Sequence, residues 1–333
     1  MFLVLYVDDS LLVGNDVGVM SSVKVWLSSQ FDMKDLGEAS FILRIKLWRD
    51  RKNKMLGLSQ AGYIDKVLEW FSMQNSKKGL LPFRHGVPLS DDQRPKTQEE
   101  ENMTRQVPYA SAIGSLMYAM LCSRPDICYS VGMVSRYQSN PGPKHWQAVK
   151  HIFKYLSRTR DYMLIYQYED LIPIVYTDSE FQSHLDFRKS TSGCVFTLGG
   201  GAITWKSVKQ SCIADSTMEA EYVAACEETK EAIWLKKSLS DLGVVRMEQV
   251  PITLFCDNSG AVAQSKDPRN HKKEKHIKRK YHIIRDIVAH GDVVVAKIEN
   301  TNNLADPFTK ALLQRTFESH LEGMRVKLVH NSL

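Results

Sequence analysis

The sequence predicts a mixed α/β protein built in layers, and three observations carry that reading. The chain opens on short apolar runs that fit strands. Its middle is helical in pattern. Its second half runs three strands, helix, strand, helices, strand, helix, which is a layered α/β order. At 333 residues there is material for two or three domains with cores of their own, and no internal repeat is visible.

The opening FLVLYVDDSLLV sets Asp8 and Asp9 between two apolar runs, the pattern of a hairpin with an acidic tip. Such tips are commonly just solvated. FILRIKLWRD and KMLGLSQ read as a second hairpin around a charged RKN tip. AGYIDKVLEWFSM follows as an amphipathic helix, with Tyr63, Val67, Leu68 and Phe71 at helical spacing. Apolar content then collapses through SDDQRPKTQEEEN, which reads as a linker or exposed loop. From 108 to about 160 the chain is expected to be helical. PDICYSVGMVSRYQ and PKHWQAVKHIFKYLSRT open on Pro125 and Pro143, which suit a first helical turn.

LIPIVYTD, CVFTLGG and AITWKSV read as three successive strands, the last two joined through Gly199, Gly200 and Gly201. A long helix is expected over 216–242. The strand ITLFCD, a short helix, a basic segment and a helix near 277–290 follow. The strand VVVAKIE and a final helix near 308–313 complete the pattern.

Four carboxylates fall at the ends of these elements. Asp178 closes IVYTD, Glu221 lies in the first turns of the long helix, Asp257 closes TLFCD, and Asp306 opens the last helix. Converging at one sheet edge, they would form a dense negative site that needs hard cations. Mg²⁺ suits it, taking carboxylate and water oxygens while leaving positions for phosphate. Two such ions about 3.5–4 Å apart could activate water and stabilise the leaving oxygen of a phosphodiester. Plainer roles stand beside this one. Asp178 and Asp257 suit turns, and Asp306 before Pro307 suits an N-cap. On the helix, Ser216-Thr217-Met218-Glu219 fits a capping box, which gives Glu219 a structural job. Glu221 flanks the Met218/Tyr222/Ala225 stripe expected to face the sheet, and is the better ligand.

The formal net charge of +6 permits a nucleic-acid partner without requiring one. KDPRNHKKEKHIKRKYHIIR concentrates Lys272, Lys273, Lys275, Lys278, Arg279 and Lys280. Most charge runs are solvated faces; beside a phosphodiester-cutting site, this one could grip a nucleic-acid backbone. His271, His276 and His282 suit such contacts, or packing, better than metal ligation. The six cysteines form no C-x-x-C pair, so reduced thiols and no zinc are expected. No window approaches a membrane span and no export signal is visible. An intracellular protein without a membrane partner is expected, in a cytoplasmic particle or the nucleus.

The blocks LYVDDSLLVG, FDMKDLGE, SRPDICYSVGMVSRYQSNPGPKHWQAVKHIFKYL, YTDSE, DFRKSTSGCVF, STMEAEYVA, FCDNSGAVA, HKKEKHI and LADPFTKAL run in order across nearly the whole length. In this they resemble the C-terminal part of a copia-type LTR retrotransposon Pol polyprotein. The resemblance implies an RNase H-like mixed five-stranded sheet with flanking helices. A partial reverse transcriptase palm and a helical thumb-like or connecting region would precede it. The expected divisions are a partial palm (1–83), a polar linker (84–107), the helical region (108–168), an RNase H-like domain (169–315) and a C-terminal tail (316–333).

The implied activity is hydrolysis of the RNA strand of RNA–DNA hybrids with two Mg²⁺, or Mn²⁺ in their place. By family pattern the metal ligands and catalytic residues fall on Asp178, Glu221, Asp257 and Asp306. The polymerase metal pair falls on Asp8 and Asp9. With the fingers and most of the palm expected to be missing, primer extension by this chain alone is not expected. The implied partner is hybrid nucleic acid, joined by other Pol segments or a second chain.

Departures from the family pattern bear on this reading. Arg44 stands in FILRI where the family has glycine. After the first nuclease aspartate the family reads Asp-Ala-Asp-Trp-Ala-Gly; this chain has Asp178-Ser179-Glu180-Phe181-Gln182-Ser183. IENTNNLAD also lacks the mobile histidine of the retroviral enzymes. The alternative these departures raise is a catalytically dead nucleic-acid-binding remnant.

Overall fold

The computed structural model of the protein describes residues 1–168, 171–184, 186–243, 250–266 and 283–329. The basic stretch with Lys272, Lys273, Lys275, Lys278, Arg279 and Lys280 lies outside the described residues, as do His271, His276 and His282.

The chain begins with β1 (Phe2–Tyr6) and β2 (Asp9–Val13), an antiparallel pair turning through Val7 and Asp8. α1 (Val17–Gln30) follows, capped by Asp16, whose carboxylate accepts from the Val19 amide at 3.0 Å. β3 (Phe41–Ile42), β4 (Ile45–Asp50) and β5 (Met55–Ser59) then form an antiparallel meander. Leu43 and Arg44 make the β3–β4 turn, both at positive φ, 48° and 60°. That is the left-handed hairpin turn that favours glycine.

A helical layer covers this sheet. It comprises α2 (Ala61–Trp70), α4 (Tyr109–Cys122), α5 (Cys128–Ser135) and α6 (Pro143–Arg158), with α3 (Gln98–Arg105) preceding α4 along the chain. α3 lies within the expected linker, capped by Thr97. α2 buries Tyr63, Ile64, Val67 and Leu68 in a core shared with Ile113, Leu116, Val149, Ile152 and Phe153. Phe71 stacks on Phe153 with ring centroids 5.0 Å apart. The SRPDI block has a packing role. Arg124 is fully buried, pairs with Asp126 at 2.6 Å and donates to Thr159. The Tyr155 hydroxyl donates to Asp126 at 2.6 Å, so each buried ion has further hydrogen bonds beyond the ion pair itself.

Three strands went unrecognised in the sequence, the first because FILRIKLWRD, expected as one strand, breaks at Leu43–Arg44 into β3 and β4. β6 (Tyr162–Gln167) pairs with β5, and the far C-terminal β12 (Val326–Leu328) returns to extend the same sheet, in the order β12-β6-β5-β4-β3.

The second sheet contains β7 (Ile174–Glu180), β8 (Thr191–Leu198), β9 (Gly201–Lys209), β10 (Ile252–Cys256) and β11 (Val293–Lys297). Its order is β11-β10-β7-β8-β9. β7, β8 and β9 are antiparallel, whereas β10 runs parallel to both β7 and β11. Gly199 and Gly200 turn β8 into β9 at φ 56° and 75°. A Cβ on Gly199 would lie 2.5 Å from the Gln167 carbonyl of β6, so the turn nests against the first sheet. α7 (Thr217–Asp241) lies on the second sheet, with Tyr222, Ala225 and Cys226 buried against Val175, Phe196 and Leu254. α8 (Ser259–Lys266) and α9 (Ile283–His290) flank it. α10 (Gln314–Gly323) and β12 (Val326–Leu328) end the described chain. The mixed five-stranded sheet with flanking helices is RNase H-like, as the resemblance implied.

Three local expectations change. β7 does not end at Asp178 but runs on to Glu180, because β8 continues to pair with it at Ser179–Ser192 and Glu180–Thr191. No helix spans 308–313. Asp306–Phe308 is a single 3₁₀ turn, and α10 starts only at Gln314. Asp306 is therefore not the N-cap of the last helix. Pro307 suits one tight turn, and the Thr309 hydroxyl then bonds Asp178 and the Asp306 carbonyl rather than continuing a helix. Met218 is 38% exposed, so Tyr222 and Ala225 carry the contact with the sheet.

Candidate metal centre

The parallel register of β7 and β10 sets the site. Thr177 pairs with Cys256, so the next residues, Asp178 still within β7 and Asp257 just past the end of β10, lie side by side. α7 crosses this edge and delivers Glu221 from its second turn. Its start is held by Ser216, whose hydroxyl accepts from the Glu219 amide at 3.2 Å. The fourth carboxylate arrives on the 3₁₀ turn Asp306–Phe308, which lies against β8 at Gly193, the residue paired with Asp178. A Cβ at Gly193 would stand 2.7 Å from Phe308 Cβ and 2.7 Å from Thr309 Cγ2. Only glycine leaves that approach open.

Carboxylate oxygens of Asp178, Asp257 and Asp306 lie within 4.8 Å of one another. Ligand atoms of Glu221, Asp257 and Cys256 do the same. All four carboxylates singled out in the sequence thus come together, with Asp257 common to both groups. Asp178, Glu221 and Asp306 are buried and Asp257 is half-buried.

Crowding and burial show in the electrostatics. Burial pushes the Glu221 carboxyl up to about 10, with Asp178 and Asp257 adding to the shift. Asp306 rises to about 7 through burial and the Asp178 charge, against the pull of Lys310. Asp257 rises for the same two reasons. Glu180, two residues beyond Asp178 on the same face of β7, is raised by burial, opposed by Lys310. The Lys310 ammonium stands 3.1 Å from Asp306 and 3.8 Å from Asp178. Burial works against that charge, but the two aspartates outweigh it and raise the lysine pKa.

Hard oxygen donors at this spacing fit Mg²⁺, and a divalent cation would relieve the mutual repulsion of the carboxylates. Cys256 does not belong to such a ligand set. Burial raises its thiol pKa, and the thiol donates to Glu221 at 3.7 Å. The other Glu221 oxygen accepts from the Ser179 amide at 3.2 Å.

Several supporting residues escaped the sequence reading. The Thr309 hydroxyl donates to Asp178. Asn303 donates to the Thr177 carbonyl at 2.9 Å and accepts from the Ala305 amide at 3.1 Å, tying the last carboxylate's segment to β7. Buried Gln210 donates through Nε2 to Ser179 Oγ at 3.2 Å, Ser192 Oγ at 2.8 Å and the Ala220 carbonyl at 2.9 Å. It thereby joins the chain neighbours of Asp178 and Glu221. Lys310 was the most legible of these, four residues after Asp306 in DPFTK. Gly193 carried no readable signal.

Asp8 and Asp9 are exposed on the β1–β2 hairpin. Among the described residues, no third histidine, cysteine or carboxylate joins them in a metal-holding group. The described residues also include no helix long and apolar enough to cross a membrane.

The mixed five-stranded sheet with flanking helices is an RNase H-like fold, and the carboxylates converge where its parallel and antiparallel halves meet. The reverse transcriptase (RNA-dependent DNA polymerase) family matches residues 1–85. Over 97% of its length the chain is 46% identical to the retrovirus-related Pol polyprotein from transposon TNT 1-94 of Nicotiana tabacum. Over 98% of its length it is 32% identical to that from transposon RE1 of Arabidopsis thaliana. The chain spans 24% and 22% of these curated relatives. A solved structure, LC11-RNase H1 isolated from compost, overlaps 45% of this chain and 99% of its own, at 19% identity and a TM-score of 0.33. The chain belongs to the copia-type retrotransposon Pol polyproteins.

Proposed function

We propose that this chain hydrolyses the RNA strand of RNA–DNA hybrids in a Mg²⁺-dependent reaction. The observation that carries the reading is the meeting of Asp178, Glu221, Asp257 and Asp306, drawn from four separate segments, at one sheet edge. These four residues would hold the cations. Bound there, Mg²⁺ would supply Lewis-acid activation of water and stabilise the leaving oxygen. The protein's own part is positional. Gly193 admits the turn bearing Asp306, Thr309 orients Asp178, Ser179 orients Glu221, and Gln210 ties their neighbours together.

Lys272, Lys273, Lys275, Lys278, Arg279 and Lys280 would grip the nucleic-acid backbone, so charge removal there should flatten the salt dependence of binding. Asp8 and Asp9, exposed and joined by no third carboxylate among the described residues, would not support primer extension by this chain alone. The division into partial palm, linker, helical region, nuclease and tail belongs to the same proposal.

A second reading is a nucleic-acid-binding remnant without chemistry. It draws on the altered run after Asp178 and on the engagement of Asp178 by Thr309 and Lys310. The deciding experiment is cleavage of a labelled RNA–DNA hybrid by the purified chain with Mg²⁺ or EDTA. RNA–RNA and DNA–DNA duplexes serve as controls. Mg²⁺-dependent cutting of the hybrid alone supports the nuclease; binding without cutting supports the remnant.

A further inference from the structure

We propose that Lys310 is the resident counter-cation of the carboxylate site. Its ammonium holds the Asp178–Asp306 half in the metal-free protein, and a divalent cation takes that half by displacing it. This rests on the metal-centre reading above and concerns how that centre loads.

The geometry carries the proposal. Lys310 Nζ stands 3.1 Å from Asp306 Oδ1 and 3.8 Å from Asp178 Oδ2, between two carboxylates that belong to one metal-holding group. Both aspartate side chains are almost wholly buried, at 4% and 6% exposure. Ionised and unpartnered, they would be costly in such surroundings. Lys310 supplies the compensating charge from within the chain. Its own side chain is 29% exposed, so its head has a route to solvent. A flexible four-carbon stem allows that swing more readily than a planar guanidinium fork would.

The fold delivers the lysine without a separate element. The 3₁₀ turn that sets Asp306 beside Asp178 also sets Lys310 four residues on, over the same edge. The two halves of the site are therefore unequal. The Asp178–Asp306 half has a cation built in. In the other half, Glu221 takes its hydrogen bonds from the Ser179 amide and the Cys256 thiol. Loading the first half exchanges one cation for another, so the ammonium competes with the incoming ion and lowers its apparent affinity.

The test uses the full chain as parent, Lys310→Met and Lys310→Arg. Circular dichroism establishes the fold, calorimetric titration measures Mg²⁺ binding, and thermal unfolding is followed in EDTA and in MgCl₂. Lys310→Met keeps the stem and removes the charge. It should melt a few degrees below the parent in EDTA. It should also bind Mg²⁺ about tenfold more tightly and gain more from added Mg²⁺. Lys310→Arg keeps the charge on a stiffer head and should bind Mg²⁺ no more tightly than the parent. Equal or weaker binding by Lys310→Met, or tighter binding by Lys310→Arg, overturns the exchange and leaves the metal centre standing. If neither the parent nor Lys310→Met takes up Mg²⁺, both readings fall together.

Discussion

Gly193 of β8 and Phe308 of the 3₁₀ turn lie so close that a methyl group on Gly193 would stand 2.7 Å from Phe308 Cβ. Gly193 is also the strand partner of Asp178. One missing side chain thus controls how near Asp306 comes to Asp178. Because Phe308 is itself fully buried, the turn cannot yield freely. Gly193→Ala should cost about 1–3 kcal/mol through overpacking, read as a fall of several degrees in thermal midpoint. It should also reduce hybrid cleavage by more than the stability loss explains, since it moves the last carboxylate. A variant with parental stability and cleavage would show that the turn shifts at no cost.

The two glutamates at the start of α7 have separable jobs. Glu219 Oε2 accepts from the Asp215 amide at 2.8 Å, and its own amide donates to Ser216. Glutamine can accept that bond as well, so Glu219→Gln should change stability by less than about 0.5 kcal/mol and leave cleavage intact. Glu221→Gln keeps the shape but removes a ligand charge. Cleavage should drop by more than about a hundredfold, and the thermal shift on adding Mg²⁺ should shrink. Its metal-free stability at neutral pH should lie above the parent's, because folded Glu221 with a pKa of about 10 must hold a proton that the unfolded chain has released, whereas glutamine is neutral in both states. The reverse ranking of the two variants in cleavage would remove Glu221 from the site.

Metal-free stability should decline with alkalinity. Asp306 rises from 3.8 to about 7 on folding, and Glu221 from 4.5 to about 10. Across those intervals the folded protein holds protons that the unfolded chain has released. The stabilisation they bring is complete below the unfolded values and is lost as pH climbs through the folded ones. Buried His320, lowered to about 4 mainly by burial, works the other way below its ordinary value of 6.5. The clean window is therefore about pH 7 to 9. Thermal midpoints in EDTA should fall across it, fall less in Glu221→Gln, and flatten in MgCl₂. A midpoint in EDTA that is constant or rising over that window would contradict the crowded-carboxylate account.

Arg44 offers a stabilising change. It is exposed, sits at φ 60°, and shares a two-residue hairpin turn with Leu43 at φ 48°. A left-handed non-glycine residue costs roughly 1–2 kcal/mol, and glycine's greater unfolded-state freedom takes back part of that. Arg44→Gly should raise stability by about 1 kcal/mol, measured by denaturant unfolding. A loss of stability would mean that the arginine side chain contributes more than its backbone costs.

The parts legible in the sequence are those decided locally. Apolar periodicity marked α2 and α6, Pro143 placed the start of α6, Pro125 opened only the 3₁₀ turn Pro125–Ile127 ahead of α5, and Ser216 marked the first turn of α7. Paired glycines marked the β8–β9 turn, since only the left-handed region closes it. Asp178, Glu221 and Asp257 were nameable because each stands near the end of a readable element, whereas Asp306 was named at the start of an expected helix that is a 3₁₀ turn in the structure. Tertiary structure decided the rest. β6 and β12 pair Leu164 with Val326, a contact between segments distant in sequence that neither one's own pattern discloses. β7 runs past Asp178 because β8 is there to pair with it. The final carboxylate is presented by a 3₁₀ turn because Gly193 leaves room for Phe308 and because Thr309 spends its hydroxyl on Asp178. Propensity and turn chemistry act over a few residues. Pairing register, close approach and the pairing of buried charges exist only once distant segments share one core.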